Sequence, residues 1–348
     1  MPSSSLGNIV DTVMNDRLIP KVIDNVLVGN VLLMRWLKSP KGATAWGQIG
    51  GGARLYVPIK YQSSSSGGWF SGFDTFVTSQ VNTRINATFD PKQLYFSVPI
   101  SGIQAAVNQG PAKVLDLLAT EMDSVSADMA DILGTGLYSD GTGTSSKQLD
   151  GLDAAVADGN GTATYGGLAR ATYTTWVSDL DSSSNAITRA EMAASFDAAQ
   201  IGSDAPTLGV TTPAIWSTIE GLAIGTINFN NPMPGLGRTY GTVTNAGVKQ
   251  GQTGELGFTA LFFRGVPVVA DEKCTSGRFY WLNEKHVGFA VWPYPDFPGY
   301  VTKPNYHGFA WTGLKLPTNQ DASVGQFLFY GQLVTDACRT HSYMTGKS

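Results

Sequence analysis

The chain has 348 residues, 23 basic against 27 acidic side chains, and a formal net charge of −4. Its 42% hydrophobic content excludes a chain disordered throughout, and its length leaves room for one large domain or two ordinary ones. Charged residues are only 14%, against ~25% in ordinary soluble domains, which suits a surface that faces other protein, as in an obligate oligomer.

The opening residues, MPSSSLGNIV, lack the basic-then-apolar layout of a signal peptide. Residues 6–38 carry scattered apolar positions broken by Pro20 and Gly29, and predict an extended arm with short helices. Val26 to Leu37 is interrupted by Asn30 and Arg35 and is too short for a bilayer span of about 20 residues. Residues 1–60 hold seven basic and three acidic side chains, whereas residues 111–160 hold two basic and nine acidic ones. The two segments could pair within or between subunits, or form two unrelated solvated faces. The arm is not basic enough for sequence-specific nucleic-acid binding.

Residues 53–100 read as strands. Arg54 to Tyr61, Thr83 to Phe89 and Leu94 to Ile100 alternate apolar and polar side chains. Between the first two lies Ser63-Ser64-Ser65-Ser66-Gly67-Gly68, followed at once by Trp69-Phe70-Ser71-Gly72-Phe73. Aromatics beside a Ser/Gly linker gain nothing in water unless they meet something. The expected structure is a long β-hairpin whose tip ends on another surface; the alternative is a domain that contains its own third strand.

After Gly110 the pattern turns helical. Val114, Leu118, Met122, Val125, Met129, Ile132 and Leu133 recur at mostly three- and four-residue spacing, and five acids take other faces. Pro111 suits a first turn, and Gly134 and Gly136 are expected to end the helix. Gly159 to Gly167 reads as loop. Thr188-Arg189-Ala190-Glu191 is a capping box opening a helix to about Ala199. Pro206 to Thr211 reads as a short strand, and Thr212-Pro213 opens a further helix, together an α/β step. Beyond Gly254 the chain is mostly β, with strands expected over Ala260 to Val269, Arg278 to Leu282 and Gln326 to Val334.

Residues that signal chemistry are sparse. His286, His307 and His341 are well separated and sit in no metal or nucleophile motif. Cys274 and Cys338 fit neither a disulfide framework nor a zinc spacing and read as buried thiols in a reducing cytoplasm. Gly346-Lys347-Ser348 lacks the earlier glycine of a phosphate loop, because His341 occupies that place. Gly235-Leu236-Gly237 does not continue with dinucleotide spacing, and Asp140, Asp150, Asp153 and Asp158 lack calcium-loop spacing. No catalytic, cofactor-binding or metal residue is expected, although two carboxylates could still converge in space.

The order arm, long hairpin, long acidic helix, α/β segment and β-rich end resembles the major capsid proteins of tailed bacteriophages, the Hong Kong ninety-seven type. The stretches that carry the resemblance are Phe70 to Thr75, Lys92-Gln93-Leu94, Leu137 to Gly143, Gln148 to Leu152, Gly265-Val266-Pro267-Val268 leading to Asp271, and Arg278 to Asn283. Each is short, and their order makes them specific. The resemblance implies an α+β fold. Residues 1–52 would be an N-terminal arm and 53–100 the E-loop hairpin. Residues 101–164 would be a peripheral domain with a spine helix, 165–285 an axial domain, and 286–348 a return to the peripheral domain ending in a strand. It implies a non-enzymatic subunit that assembles in the host cytoplasm into hexamers and pentamers of a virion shell. That shell would enclose double-stranded DNA without sequence specificity, without cofactor or membrane. Scaffolding, portal and decoration proteins would be further partners. No long scaffolding region precedes the arm, so a separate scaffold or prior cleavage is expected. The E-loop tip, Ser66, Gly67, Gly68, Trp69 and Phe70, would contact a neighbouring subunit. Lys60 and Lys92 flank the hairpin, but the resemblance does not establish the covalent crosslinks of some relatives. An encapsulin-like compartment would share the fold; a β-rich carbohydrate-binding protein is a remoter alternative.

Overall fold

A computed structural model of the chain describes residues 30–33, 35–36, 47–48, 52–64, 66–76, 78–79, 81–107, 111–156, 163–224, 260–292 and 308–348. Residues 6–29 of the expected arm, the Val114 side chain, Asp158, the start of the 159–167 loop, the 235–241 stretch and His307 lie outside the described residues.

In chain order the strands begin with β1 (Gly47–Gln48), β2 (Leu55–Lys60), β3 (Arg84–Phe89) and β4 (Lys92–Ser101). The long helix α1 (Pro111–Leu137) follows, then the two-residue strands β5 (Thr164–Tyr165) and β6 (Leu168–Ala169), and β7 (Asp179–Asp181). Next come α2 (Arg189–Ala199), β8 (Leu208–Thr211) and α3 (Pro213–Ile224). The remaining strands are β9 (Ala260–Phe263), β10 (Val266–Ala270), β11 (Phe279–Leu282), β12 (Val287–Val291), β13 (Phe309–Trp311), β14 (Ala322–Thr335) and β15 (Ser342–Met344).

A first sheet has the order β1-β12-β14-β13, with β4 along the other side of β14. A second has the order β7-β15-β11-β8-β10-β9. The fold is therefore mixed, as expected for α+β. The first sheet is organised by β14, where Gly325, Phe327, Phe329 and Gly331 are buried and alternate with more exposed residues. Its core takes Val98 and Ile100 from β4, and Leu118, Met122, Met129, Leu133 and Leu137 from α1. Leu32, Leu33 and Trp36 pack into it from the arm. The second sheet is covered by α2 and α3, through Met192, Phe196, Ile215 and Ile219 against Phe279 and Trp281.

The helix α1 departs from expectation at its end. It continues through Gly134 and Gly136 to Leu137, 27 residues in all, or about 40 Å. Those glycines admit neighbours rather than stop the helix. A Cβ on Gly134 would lie 2.6 Å from Asn30 Nδ2, and one on Gly136 would touch the Leu149 side chain. Close packing there offsets a helix-interior glycine penalty of ~1 kcal/mol. Ile132 also departs from the expected stripe. Leu118, Met122, Met129 and Leu133 are buried, whereas Ile132 is 48% exposed.

The capping box at α2 forms as expected: Glu191 N donates to Thr188 Oγ1 at 3.3 Å, and Thr188 N donates to Glu191 Oε2 at 3.0 Å. The α/β step also forms, because α3 carries the chain from β8 towards the sheet that holds its parallel neighbour β10. The single strand expected over Ala260 to Val269 is instead the antiparallel hairpin β9–β10. Arg264 and Gly265 between them have φ of 51° and 84°, the positive pair that a type I′ turn requires.

Two crossovers join the sheets. Residues 283–286 lead from β11 to β12, and residues 336–341 lead from β14 back to β15. There β15 pairs with β7 on one side and β11 on the other, so residues 286–348 serve both sheets. Just beyond, Lys347 is tied down. Its fully buried Nζ lies 2.9 Å from Asp181 Oδ2, 3.2 Å from Glu191 Oε1 and 2.7 Å from Asn185 Oδ1. Lys347→Ala strands two carboxylates that are still partly solvated, so a loss of about 2 kcal/mol is expected, short of the cost for a fully buried pair. Urea unfolding of the isolated subunit measures it.

Candidate interaction site

The hairpin β2–β3 is antiparallel, in register from Leu55 opposite Phe89 to Lys60 opposite Arg84. Alternation buries Val57, Ile59, Ala87 and Phe89 on one face, which anchors the base to the first core. The ladder extends one step, with Tyr61 N donating to Thr83 O at 3.1 Å. Tyr61 rests edge-on against Tyr173 at 5.3 Å. The strand β4 is not a third member of this hairpin; it pairs with β14 over its whole length.

Between Gln62 and Thr83 the described residues form no strand. Local bonds shape this stretch: Ser66 Oγ donates to Ser79 O at 3.2 Å, and Ser71 N donates to Asp74 Oδ2 at 2.7 Å. A Cβ placed on Gly67, Gly68 or Gly72 would meet nothing within 4 Å. Trp69 and Phe73 are fully exposed, while Phe70 and Phe76 are 65% exposed and meet edge to face at 5.1 Å. Of the sequence-expected tip residues, Ser66, Gly67, Gly68, Trp69 and Phe70 all sit on this projection. Phe76 is a further member, separated in sequence from the Trp69–Phe73 run.

A second apolar surface lies where the β4 edge meets α1. A groove of about 320 Å³ is lined by Leu94, Tyr95, Ile132, Leu133, Leu149 and Phe329. Tyr95 is 69% exposed and Ile132 is the outward isoleucine of the helix. Lys92 and Lys147 stand on its rim; Lys92 Nζ donates to Ser146 O at 2.7 Å, and Lys147 is exposed. Sequence periodicity placed Ile132 inside and missed the groove. Ile132 stands about 100° around the helix from Leu133, at the border of the apolar stripe, where periodicity alone does not decide between core and surface.

The two cysteines and His341 are buried. Burial pushes the Cys338 thiol up to about 12 and the Cys274 thiol higher still, so both stay protonated. His341 is fully buried, and burial, then the nearby His286, pushes it down to about 3. Its Nδ1 accepts from Asn283 N at 3.0 Å. Burial raises Asp153 and Asp271 above the usual carboxylate range. Each is taken by a tyrosine: Asp271 accepts from Tyr138 Oη at 2.8 Å, and Asp153 bonds Tyr280 and Arg278. Among the described residues, no three His, Cys, Asp or Glu side chains converge to hold a metal ion. Among them also, no helix is long and apolar enough to cross a membrane.

No protein-family model matches the chain, and no curated protein matches it in sequence. Solved structures do match. The capsid asymmetric unit of cyanophage A-1(L) superposes with a TM-score of 0.60 at 16% identity, covering 85% of this chain and 88% of that one. The chain has the tailed-phage major capsid fold. The same capsid fold appears in the capsid of a native GTA particle, with a TM-score of 0.55 at 10% identity over 87% of this chain and 89% of that one. The holo-SrpI encapsulin complex of Synechococcus elongatus is also similar, with a TM-score of 0.53 at 11% identity over 87% and 85%.

Proposed function

We propose that this chain is the repeating subunit of a closed icosahedral shell, built from hexamers and pentamers, that encloses double-stranded DNA. In this reading residues 1–52 are the arm, 53–100 the E-loop hairpin followed by β4, which pairs with β14 rather than with the hairpin, 101–164 the peripheral domain with α1, 165–285 the axial domain and 286–348 the return segment. The chain is structural rather than catalytic, acts in the virion, and meets scaffolding, portal and decoration proteins as separate partners. The observation that carries the reading is the hairpin tip, where Trp69 and Phe73 are fully exposed and a Cβ on Gly67, Gly68 or Gly72 would meet nothing within 4 Å. The groove beside Tyr95 and Ile132 is the acceptor on the next copy. The tip's one charge, Asp74, complements Lys147 on the groove rim. Donor and acceptor are different surfaces of one chain, so the contact is head-to-tail and generates rings when the rotation closes.

The expected outcome is a covalent link between copies. With Trp69→Cys and Ile132→Cys in one chain, mild oxidation of assembled particles gives ladders of linked subunits on denaturing gels, and either single variant gives none. Negative-stain microscopy of the expressed protein shows whether shells form at all, separately from the link. The similarity to an encapsulin supports a second reading, a compartment that holds protein cargo. Nuclease-protected DNA inside purified particles favours the first reading, and a co-purified protein cargo favours the second.

A further inference from the structure

We propose that His286 is a pH-sensitive clasp across the joint between the two sheets, closed when its ring carries both protons. His286 ends the first crossover. Its Nδ1 lies 2.7 Å from Asp336 Oδ1, at the start of the second crossover, and its Nε2 lies 3.4 Å from Asp204 Oδ2, in the 201–204 turn before β8. The ring thus joins three separate segments, and both of its nitrogens face carboxylate oxygens. A neutral imidazole has one N–H and one lone pair, so it can donate to only one of these acceptors and opposes the other. The imidazolium donates to both. The geometry around the ring therefore selects the charged form.

The surrounding charges do not remove this demand. Lys285 Nζ binds the other oxygen of Asp204 at 2.8 Å. Glu284 is turned away and holds Arg35 of the arm, with Trp36 Nε1 at 3.3 Å. Arg339 on the second crossover is exposed. His341, the nearest other titratable ring of that crossover, stays neutral, with Nε2 3.2 Å from Thr335 Oγ1. The backbone already couples the two crossovers, because Asp336 N donates to His286 O at 3.1 Å. What protonation adds is the hold on Asp204, the longer of the two links.

The direction follows. The Asp336 hydrogen bond, opposed by partial burial and helped by Asp204, holds His286 above its ordinary 6.5. A raised folded-state value means the clasp contributes fully below the ordinary histidine pKa and is lost as pH rises through the raised value. The joint loosens on the alkaline side, and the 201–204 turn is released first.

The chain has three histidines, so nitrogen-15 histidine spectra of the full-length isolated subunit, with the ring signal assigned by loss in His286→Gln, give the titration directly. The expected midpoint for His286 lies above 6.5, with both ring nitrogens protonated at the acidic end, and it falls in Asp204→Asn and further in Asp336→Asn. Between pH 6.5 and 8.5 the melting temperature of the wild type should drop relative to His286→Gln by on the order of 2 °C. A wild-type midpoint at or below 6.5, or a midpoint unmoved by both aspartate changes, overturns the proposal. The wild-type spectrum alone decides the first point if a variant fails to fold.

Discussion

Deletion of residues 64–70 is expected to leave a folded subunit with near-native melting and to abolish most closed shells. The tip adds nothing to either hydrophobic core, because Trp69 is fully exposed and the glycines beside it face open space. The hairpin base stays anchored through Val57, Ile59, Ala87 and Phe89. Burying one aromatic side chain is worth roughly 1.5–3 kcal/mol, which is about ten- to a hundredfold in each contact constant. In a closed lattice that factor recurs at every subunit. Trp69→Ser with Phe73→Ser should show the same split without shortening the loop. Sedimentation and microscopy measure shell yield, and calorimetry of the isolated subunit measures folding. A lowered melting temperature with unchanged assembly would place these aromatics in the subunit's own core and contradict the proposed contact.

Met122→Asp should be the most damaging single change in α1, at about 3–5 kcal/mol, because it buries a carboxylate with no partner at a position of zero exposure. Asp128→Asn, on the exposed face of the same helix, should cost about 0.5 kcal/mol or less. Denaturant unfolding of both variants tests the helical phase: equal losses would mean that the buried stripe is wrong.

What the sequence made legible was local. The capping box at Thr188 and Glu191, the proline that opens α1 and the alternation in β2 and β3 each rest on residues a few positions apart, and each formed where expected. What it hid depended on distant neighbours. Gly134 and Gly136 read as a helix end because nothing in the local pattern reveals that Asn30 and Leu149 approach there. The turn at Arg264 was missed because arginine seldom takes positive φ. The partner of β4 lies more than two hundred residues away on β14. The hairpin tip could be nominated, since aromatics next to a Ser/Gly run are conspicuous in any chain. The groove could not, because it forms only where Tyr95, Ile132 and Leu149 meet in space. The fold itself came from the order of elements, which survives at identities of 10–16%.

The pairing of β4 with β14 has a consequence for biosynthesis. Strand β4 is complete at Ser101, but its partner begins at Ala322. At translation rates of ~5–20 residues per second, the first sheet waits roughly ten to forty seconds for its central strand. The second sheet is completed later still, because β15 at residues 342–344 fills the gap between β7 and β11. The edge of β4 and the face of α1, which together form the apolar groove, therefore lack the central strand until it arrives. A partly made chain can present an aromatic tip but no finished surface to receive one. Long-range pairing makes folding slow, and under the proposed tip-to-groove contact the delay would leave a nascent chain without an acceptor until β14 is made.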